Sequence, residues 1–197
     1  VDLSELNESH TITMCERYGA PDIWTGVTGT TNWAEATITL PDAVKNSKSV
    51  TVEFTLKLNA DATIHALTRF GVMMAEEKGI FAAVMGSNSM QVCPINPDNP
   101  LGIFDGWSGD HNGYADAVIA ALQGDGLQVR MVRDGTEISM YLYLNGAWTF
   151  MASTTCGADA VTDIRLVVGG NNTNVWEFSS IEYFVNEMVS EVPEAEE

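Results

Sequence analysis

The sequence predicts an all-β protein: a two-sheet antiparallel β-sandwich with at most one short helix. Three observations carry this. Residues 47–58 (SKSVTVEFTLKL) alternate apolar and polar side chains, and a period of two sends one set to a core and the other to water. Short β-rich runs recur with turn residues about every 8–12 positions, the rhythm of a sandwich or barrel. Two of the turns are Asp134-Gly135 and Asn145-Gly146. Such dipeptides between β-rich runs mark hairpins, because both residues tolerate positive φ.

The elements follow in order. Residues 1–9 form a lead-in. Trp33 opens an alternating run, with Trp33, Glu35 and Thr37 against Ala34, Ala36 and Ile38, which places its ring outside the core. Trp24 stands in the Gly- and Thr-rich stretch before it. In 47–58, Val50, Val52, Phe54, Leu56 and Leu58 share the core face. RFGVMMA (69–75), GIFAAVMG (79–86) and MQVCPI (90–95) are short strands separated by EEK and SNS, with EEKG as one helical turn. A polar loop with Pro97 and Pro100 runs from about 96 to 116. GYADAVIAALQ (113–123) is the one short helix. LQVRMVR, TEISMYLYL and AWTFMAS form a three-stranded meander over 127–153. IRLVVGG and VWEFSSIEYFV are the last strands, joined by NNTN, with Trp176 and Phe178 in the core. The sandwich occupies 10–186, and 187–197 is an acidic linker or disordered tail.

Register decides what the meander presents. A two-residue turn at Asn145-Gly146 sets Tyr143 opposite Trp148, Tyr141 opposite Phe150 and Met140 with Met151. A turn at Asp134-Gly135 sets Met131 opposite Ile138, Val129 opposite Met140, Leu127 opposite Leu142, Gln128 opposite Tyr141 and Arg130 opposite Ser139. Directly opposed residues share a face. One face is then purely apolar: Leu127, Val129, Met131, Ile138, Met140 and Leu142. The other carries Gln128, Arg130, Ser139, Tyr141, Tyr143 and Trp148. Aromatic rings suit the C–H surface of a pyranose, and amide and guanidinium groups can hydrogen-bond its hydroxyls. The alternative is that a loop or another layer covers the rings. A one-residue bulge at Asp134-Gly135 would move Gln128 and Arg130 to the opposite face.

Charge narrows the partners. The 197-residue chain carries 27 acidic and 9 basic residues, a net −18, with five Glu in 187–197 and Asp2, Glu5 and Glu8 at the start. Such a surface repels nucleic acid, anionic membranes and polyanionic glycans, so a neutral ligand fits best. No apolar run reaches the ~18 residues of a membrane helix, and no signal peptide is read. Without an initiator Met, the chain reads as a segment of a larger polypeptide whose other domains are further partners. The three cysteines, Cys15, Cys93 and Cys156, allow one disulfide or none, and read most simply as small buried apolar residues.

Few residues suggest chemistry. His10, His65 and His111 have no zinc spacing, and no nucleophile-elbow, Walker or dinucleotide motif occurs. The stretch FDGWSGDHNGYAD (104–116) gathers Trp107 and Tyr114, a second candidate stacking pair. In it Asp110, Asn112 and Asp116 place oxygen ligands at alternate positions, as a structural Ca²⁺ site would; an ordinary loop built on Asx-turns is the alternative. Asn171, Asn172 and Asn174 offer amides to sugar hydroxyls or simply make a turn. Asn7 and Asn171 head N-x-S/T sequons.

VRMVRDGTEISMYLYLNGAW, RFGVMMAEEKGIFAAVMG and DIRLVVGGNNTNVWEFSSIEYFV together resemble a concanavalin A-like, laminin-G-like jelly roll. Strands in such domains end in polar-Gly turns, and the last strand returns beside the first. The resemblance spans roughly 10–186 and extends to carbohydrate-binding modules of secreted bacterial proteins. It implies an extracellular or cell-surface setting and a lectin-like role. Jelly-roll glucanases carry E-x-D-x-x-E on one strand, and no such run exists here. Glu177 and Glu182 lie an odd number apart, on opposite faces unless Ser179-Ser180 forms a bulge. The expectation is a non-catalytic module that binds a neutral polysaccharide or glycan. A protein-interaction or adhesion module is the alternative, and a glycoside hydrolase is the third reading.

Overall fold

The structure is a computed structural model. It describes residues 10–13, 15–21, 28–38, 40, 49–62, 64, 68–75, 78–84, 88–95, 110–156, 163–169 and 174–185; for 10–13, 15–21, 28–38, 110–112 and 185 the backbone alone is described. The lead-in, the acidic tail, Trp24, His65, Trp107, Asn171 and Asn172 lie outside the described residues.

The strands are β1 (His10–Thr13), β2 (Cys15–Pro21), β3 (Thr28–Ile38), β4 (Ser49–Leu58), β5 (Arg69–Ala75), β6 (Lys78–Val84), β7 (Ser89–Ile95), β8 (Asp110–Asn112), β9 (Leu127–Asp134), β10 (Glu137–Leu144), β11 (Ala147–Thr155), β12 (Ile164–Gly169) and β13 (Val175–Val185), with one helix, α1 (Ala115–Gln123). They form two antiparallel sheets, ordered β1-β13-β4-β9-β10-β11 and β2-β3-β12-β5-β6-β7-β8. The last strand pairs with the first through Phe178 opposite His10 and Val175 opposite Thr13. Among the described residues no helix is long and apolar enough to cross a membrane.

The core lies between the sheets. Val50, Val52, Phe54, Leu56 and Leu58 of β4 are buried, as are all six residues of the apolar face expected for the meander. The seven-stranded sheet differs. Val72, Ile80 and Val92 join the main core, while Met73, Phe81, Cys93, Ile95 and Val167 form a second buried cluster. Alternate residues of one strand thus enter different clusters, and β5, β6, β7 and β12 are buried on both faces. This explains why RFGVMMA and GIFAAVMG show no alternation. Cys93 and Cys156 are buried thiols, in the small-apolar role.

Several boundaries move from the sequence reading. β6 begins at Lys78, so Lys78 and Gly79 are strand, not part of a helical turn. The 96–116 loop is interrupted by β8, whose Asp110 pairs with Gln91 and Asn112 with Ser89, and its end enters α1. The helix starts two residues later than expected; Tyr114 is its N-cap, without a side-chain capping bond.

The turn between β9 and β10 also shifts. Asp134 pairs with Glu137, so Gly135 and Thr136 are the central residues. Gly135 has φ +60, as the first central position of a II′ turn requires. The buried Arg133 holds the turn by donating from Nε to the Gly135 carbonyl at 3.0 Å. The partners slide by two: Met131 opposes Met140, Val129 opposes Leu142 and Arg130 opposes Tyr141. An even slip preserves faces, so every side chain stays on its expected side. At the other hairpin Asn145 (φ +53) and Gly146 (φ +83) make the I′ turn. Tyr143 opposes Trp148 and Tyr141 opposes Phe150, but Met140 opposes Ala152 across a bulge. Met151 is the extra residue, and both it and Ala152 are buried.

Tyr183 of β13 sits in the core, and its hydroxyl has no hydrogen-bond partner among the described residues. Burial, with the nearby negative Asp163 adding to it, pushes its pKa from 10.0 to about 12. A raised folded-state pKa gives a contribution fully present below pH 10 and lost as pH rises toward 12. Unfolding free energies from urea denaturation across that window are expected to fall about 2–3 kcal/mol further for the wild type than for Tyr183→Phe. Parallel curves for the two proteins would contradict this.

Candidate functional site

The outer face of the six-stranded sheet gathers the predicted residues. β13, β4, β9, β10 and β11 lie side by side, and their registers build rows across them. One row runs Glu182, Glu53, Arg130, Tyr141 and Phe150. Ser179, Thr55 and Gln128 begin the next, and Tyr143 and Trp148 face each other at its far end.

Tyr141, Tyr143, Trp148 and Phe150 therefore lie on one face of two adjacent strands. Tyr143 is 40% exposed and Phe150 51%, while Tyr141 and Trp148 are half-buried. Tyr141 meets Phe150 at 5.5 Å between centroids and 68° between planes. Tyr143 meets Trp148 at 5.4 Å and 71°. These are edge-to-face pairs, so the four rings do not form one flat platform.

Arg130 organises the junction. Its Nε donates to Glu53 Oε1 at 2.6 Å, and its guanidinium carbon lies 4.0 Å from the Trp148 ring centroid. The stack follows from the turn shift, which moves Arg130 one pair nearer the rings. One face of Trp148 is thereby occupied, leaving Tyr143 and Phe150 as the rings open to a ligand. Phe150 was legible in the sequence as Tyr141's partner. Gln128 is exposed on this face and opposes Thr55.

The remaining candidates divide. Tyr114 is half-buried against the main core, at the start of the helix; its expected partner Trp107 is outside the described residues. Asn174 is fully buried, which withdraws it from any sugar hydroxyl. The Ca²⁺ ligand set is split: Asp110 and Asn112 belong to a paired edge strand, while Asp116 lies in the first turn of α1, its backbone N–H bonded to Asn88 Oδ1 at 2.8 Å. Among the described residues no group of three His, Cys, Asp or Glu is placed to hold a metal.

The bulge at Ser179-Ser180 is present. The register shifts between Ser179 and Glu182, and Ser180 has φ +53. Glu177 opposes Lys57 and Glu182 opposes Glu53, so both acids share the outer face. Lys57 and Glu53 are four residues apart, roughly 13 Å, beyond the ~5–9.5 Å of glycosidase carboxylate pairs. Glu53 and Glu182 are close, but Arg130 already engages Glu53.

The chain has a concanavalin A-like jelly-roll fold, a two-sheet antiparallel sandwich. No family model and no curated protein matches the sequence. Among solved structures it is similar to a legume lectin-like domain from Entamoeba histolytica, at 10% identity and TM-score 0.54 over 93% of this chain and 92% of that one. It is also similar to the VIP36 exoplasmic/lumenal domain in its Ca²⁺/Man-bound form, at 8% identity and TM-score 0.52 over 91% and 83%. A functionally unknown protein from Saccharomyces cerevisiae gives 11% identity and TM-score 0.50 over 94% and 99%. At such identities the likeness is one of fold.

Proposed function

We propose that the chain is a non-catalytic carbohydrate-binding domain, part of a larger extracellular or cell-surface protein, that takes a neutral glycan on the outer face of its six-stranded sheet. The observation that carries this is the exposure of Tyr143 and Phe150 beside Trp148, Arg130 and Gln128. Tyr143 and Phe150 stack on pyranose C–H faces, Trp148 and Tyr141 support them, and Gln128 orients hydroxyls. The Ca²⁺/Man-bound VIP36 domain shares the fold and lends the sugar-binding reading general support. With ~1–2 kcal/mol net per stacked ring, Kd is of order 10⁻⁵ to 10⁻³ M.

Affinity electrophoresis in gels of neutral polysaccharides, backed by a glycan array, tests this. Tyr143→Ala and Phe150→Ala are each expected to weaken retardation about ten-fold, with unchanged thermal stability. Binding that survives both but disappears in Trp107→Ala would move the site to the 104–116 stretch, and a loss with chelator would bring Ca²⁺ back. A protein-interaction or adhesion surface is the second reading, favoured by the tilted rings, which pack edge-to-face on one another and offer no flat platform to a sugar. It predicts no retardation by any glycan.

A further inference from the structure

The chain contains two Asn-Gly sequences, Asn112-Gly113 and Asn145-Gly146. Glycine after asparagine leaves the following amide nitrogen unshielded by a side chain, the usual condition for attack on the asparagine carboxamide. The structure treats the two differently. Gly113 N–H donates to the Asn88 carbonyl at 2.8 Å, so its nitrogen is engaged. Gly146 N–H has no backbone partner among the described residues outside the strand ladders. Asn145 and Gly146 are both exposed, at the tip of the turn, with water on every side.

We propose that Asn145 is a spontaneous deamidation site, and that Asn112 is protected by the hydrogen bond at Gly113. The Gly146 nitrogen gives its proton to solvent and attacks Asn145 Cγ. A C–N bond forms, the Cγ–Nδ2 bond breaks, and the departing nitrogen keeps the electron pair and takes a proton from solvent to leave as ammonia. Water opens the resulting succinimide at either carbonyl, giving aspartate or isoaspartate. Either product puts a carboxylate at the hairpin tip, one residue pair beyond Tyr143 and Trp148. Isoaspartate also adds one carbon to the main chain, and the I′ turn that pairs Leu144 with Ala147 then no longer closes. The aromatic face is thus built on a hairpin tip that alters with age, whatever that face binds.

The test is peptide mapping by mass spectrometry of the full chain after incubation in mildly alkaline buffer, folded and in urea. In the folded protein, conversion at Asn145 is expected to run about five-fold faster than at Asn112, the factor set by one amide hydrogen bond that must first open. In urea the two rates should converge. Asn145→Gly keeps an I′-compatible turn and should abolish the fast conversion while leaving the far-UV spectrum unchanged. Equal folded-state rates, or an intact Asn145 while Asn112 converts, would overturn the assignment.

Discussion

Trp176→Ala is expected to cost about 3–5 kcal/mol of folding stability, seen as a fall in urea midpoint at constant m-value and in Tm of about 10 °C or more. Trp176 is fully buried. It stands on β13 between Ile12 of β1 and Leu58 of β4, and its ring meets Phe70 of the opposite sheet at 6.4 Å and 58°. One side chain thus bridges both layers, and neighbours held in two hydrogen-bonded ladders cannot collapse into the space it leaves. Its Nε1–H has no hydrogen-bond partner among the described residues, and an unmet buried donor is itself a cost of ~1–3 kcal/mol. Trp176→Phe keeps most of the packing and removes that donor, so it is expected to lose less than half as much. Equal losses in the two variants would mean that the indole N–H is satisfied after all.

This position was legible before the structure, and the reason is instructive. Wherever one face of a strand meets the core and the other meets water, the sequence shows it. β4, β9, β10 and β13 carry that alternation, and Phe54, Val129, Met140 and Trp176 stand where it puts them. Turn chemistry then set register to within two residues, and an even error left every face intact. Three features escaped. β5 and β6 are buried on both sides, so alternation could not divide their residues between two clusters. The Met151 bulge has no glycine to announce it, whereas the Ser180 bulge was foreseen as a contingency. β8 is three residues long inside a polar, Gly-rich stretch, and pairing with β7 makes it a strand despite its composition. The candidate site divides along the same line. Tyr141, Tyr143 and Trp148 came from alternation and share a face. Tyr114 and the Ca²⁺ trio came from loop composition; Tyr114 packs against the main core, while Asp110 and Asn112 fall on β8 and Asp116 on α1.

Gly79→Ala is expected to be nearly as damaging, about 3 kcal/mol, although its backbone has no positive φ to defend. Gly79 opposes Met73 on one side and Ile95 on the other. The β5–β6 ladder is irregular between Met73 and Ala75, and the bent strand passes directly over Gly79. A Cβ there would lie 1.9 Å from the Val72 carbonyl oxygen and 2.6 Å from Met73 Cα. Both are backbone atoms, so no side chain can rotate aside; one strand must move, against neighbours buried on both faces of the sheet. Gly135→Ala provides the contrast. Its added methyl would meet nothing within 4 Å, and its only penalty is the φ of +60, worth about 1 kcal/mol. Urea denaturation of the two variants should therefore separate close approach from backbone conformation as reasons for glycine. A Gly79→Ala protein as stable as Gly135→Ala would show that β5 does not cross where it is placed here, and would reopen the register of the seven-stranded sheet.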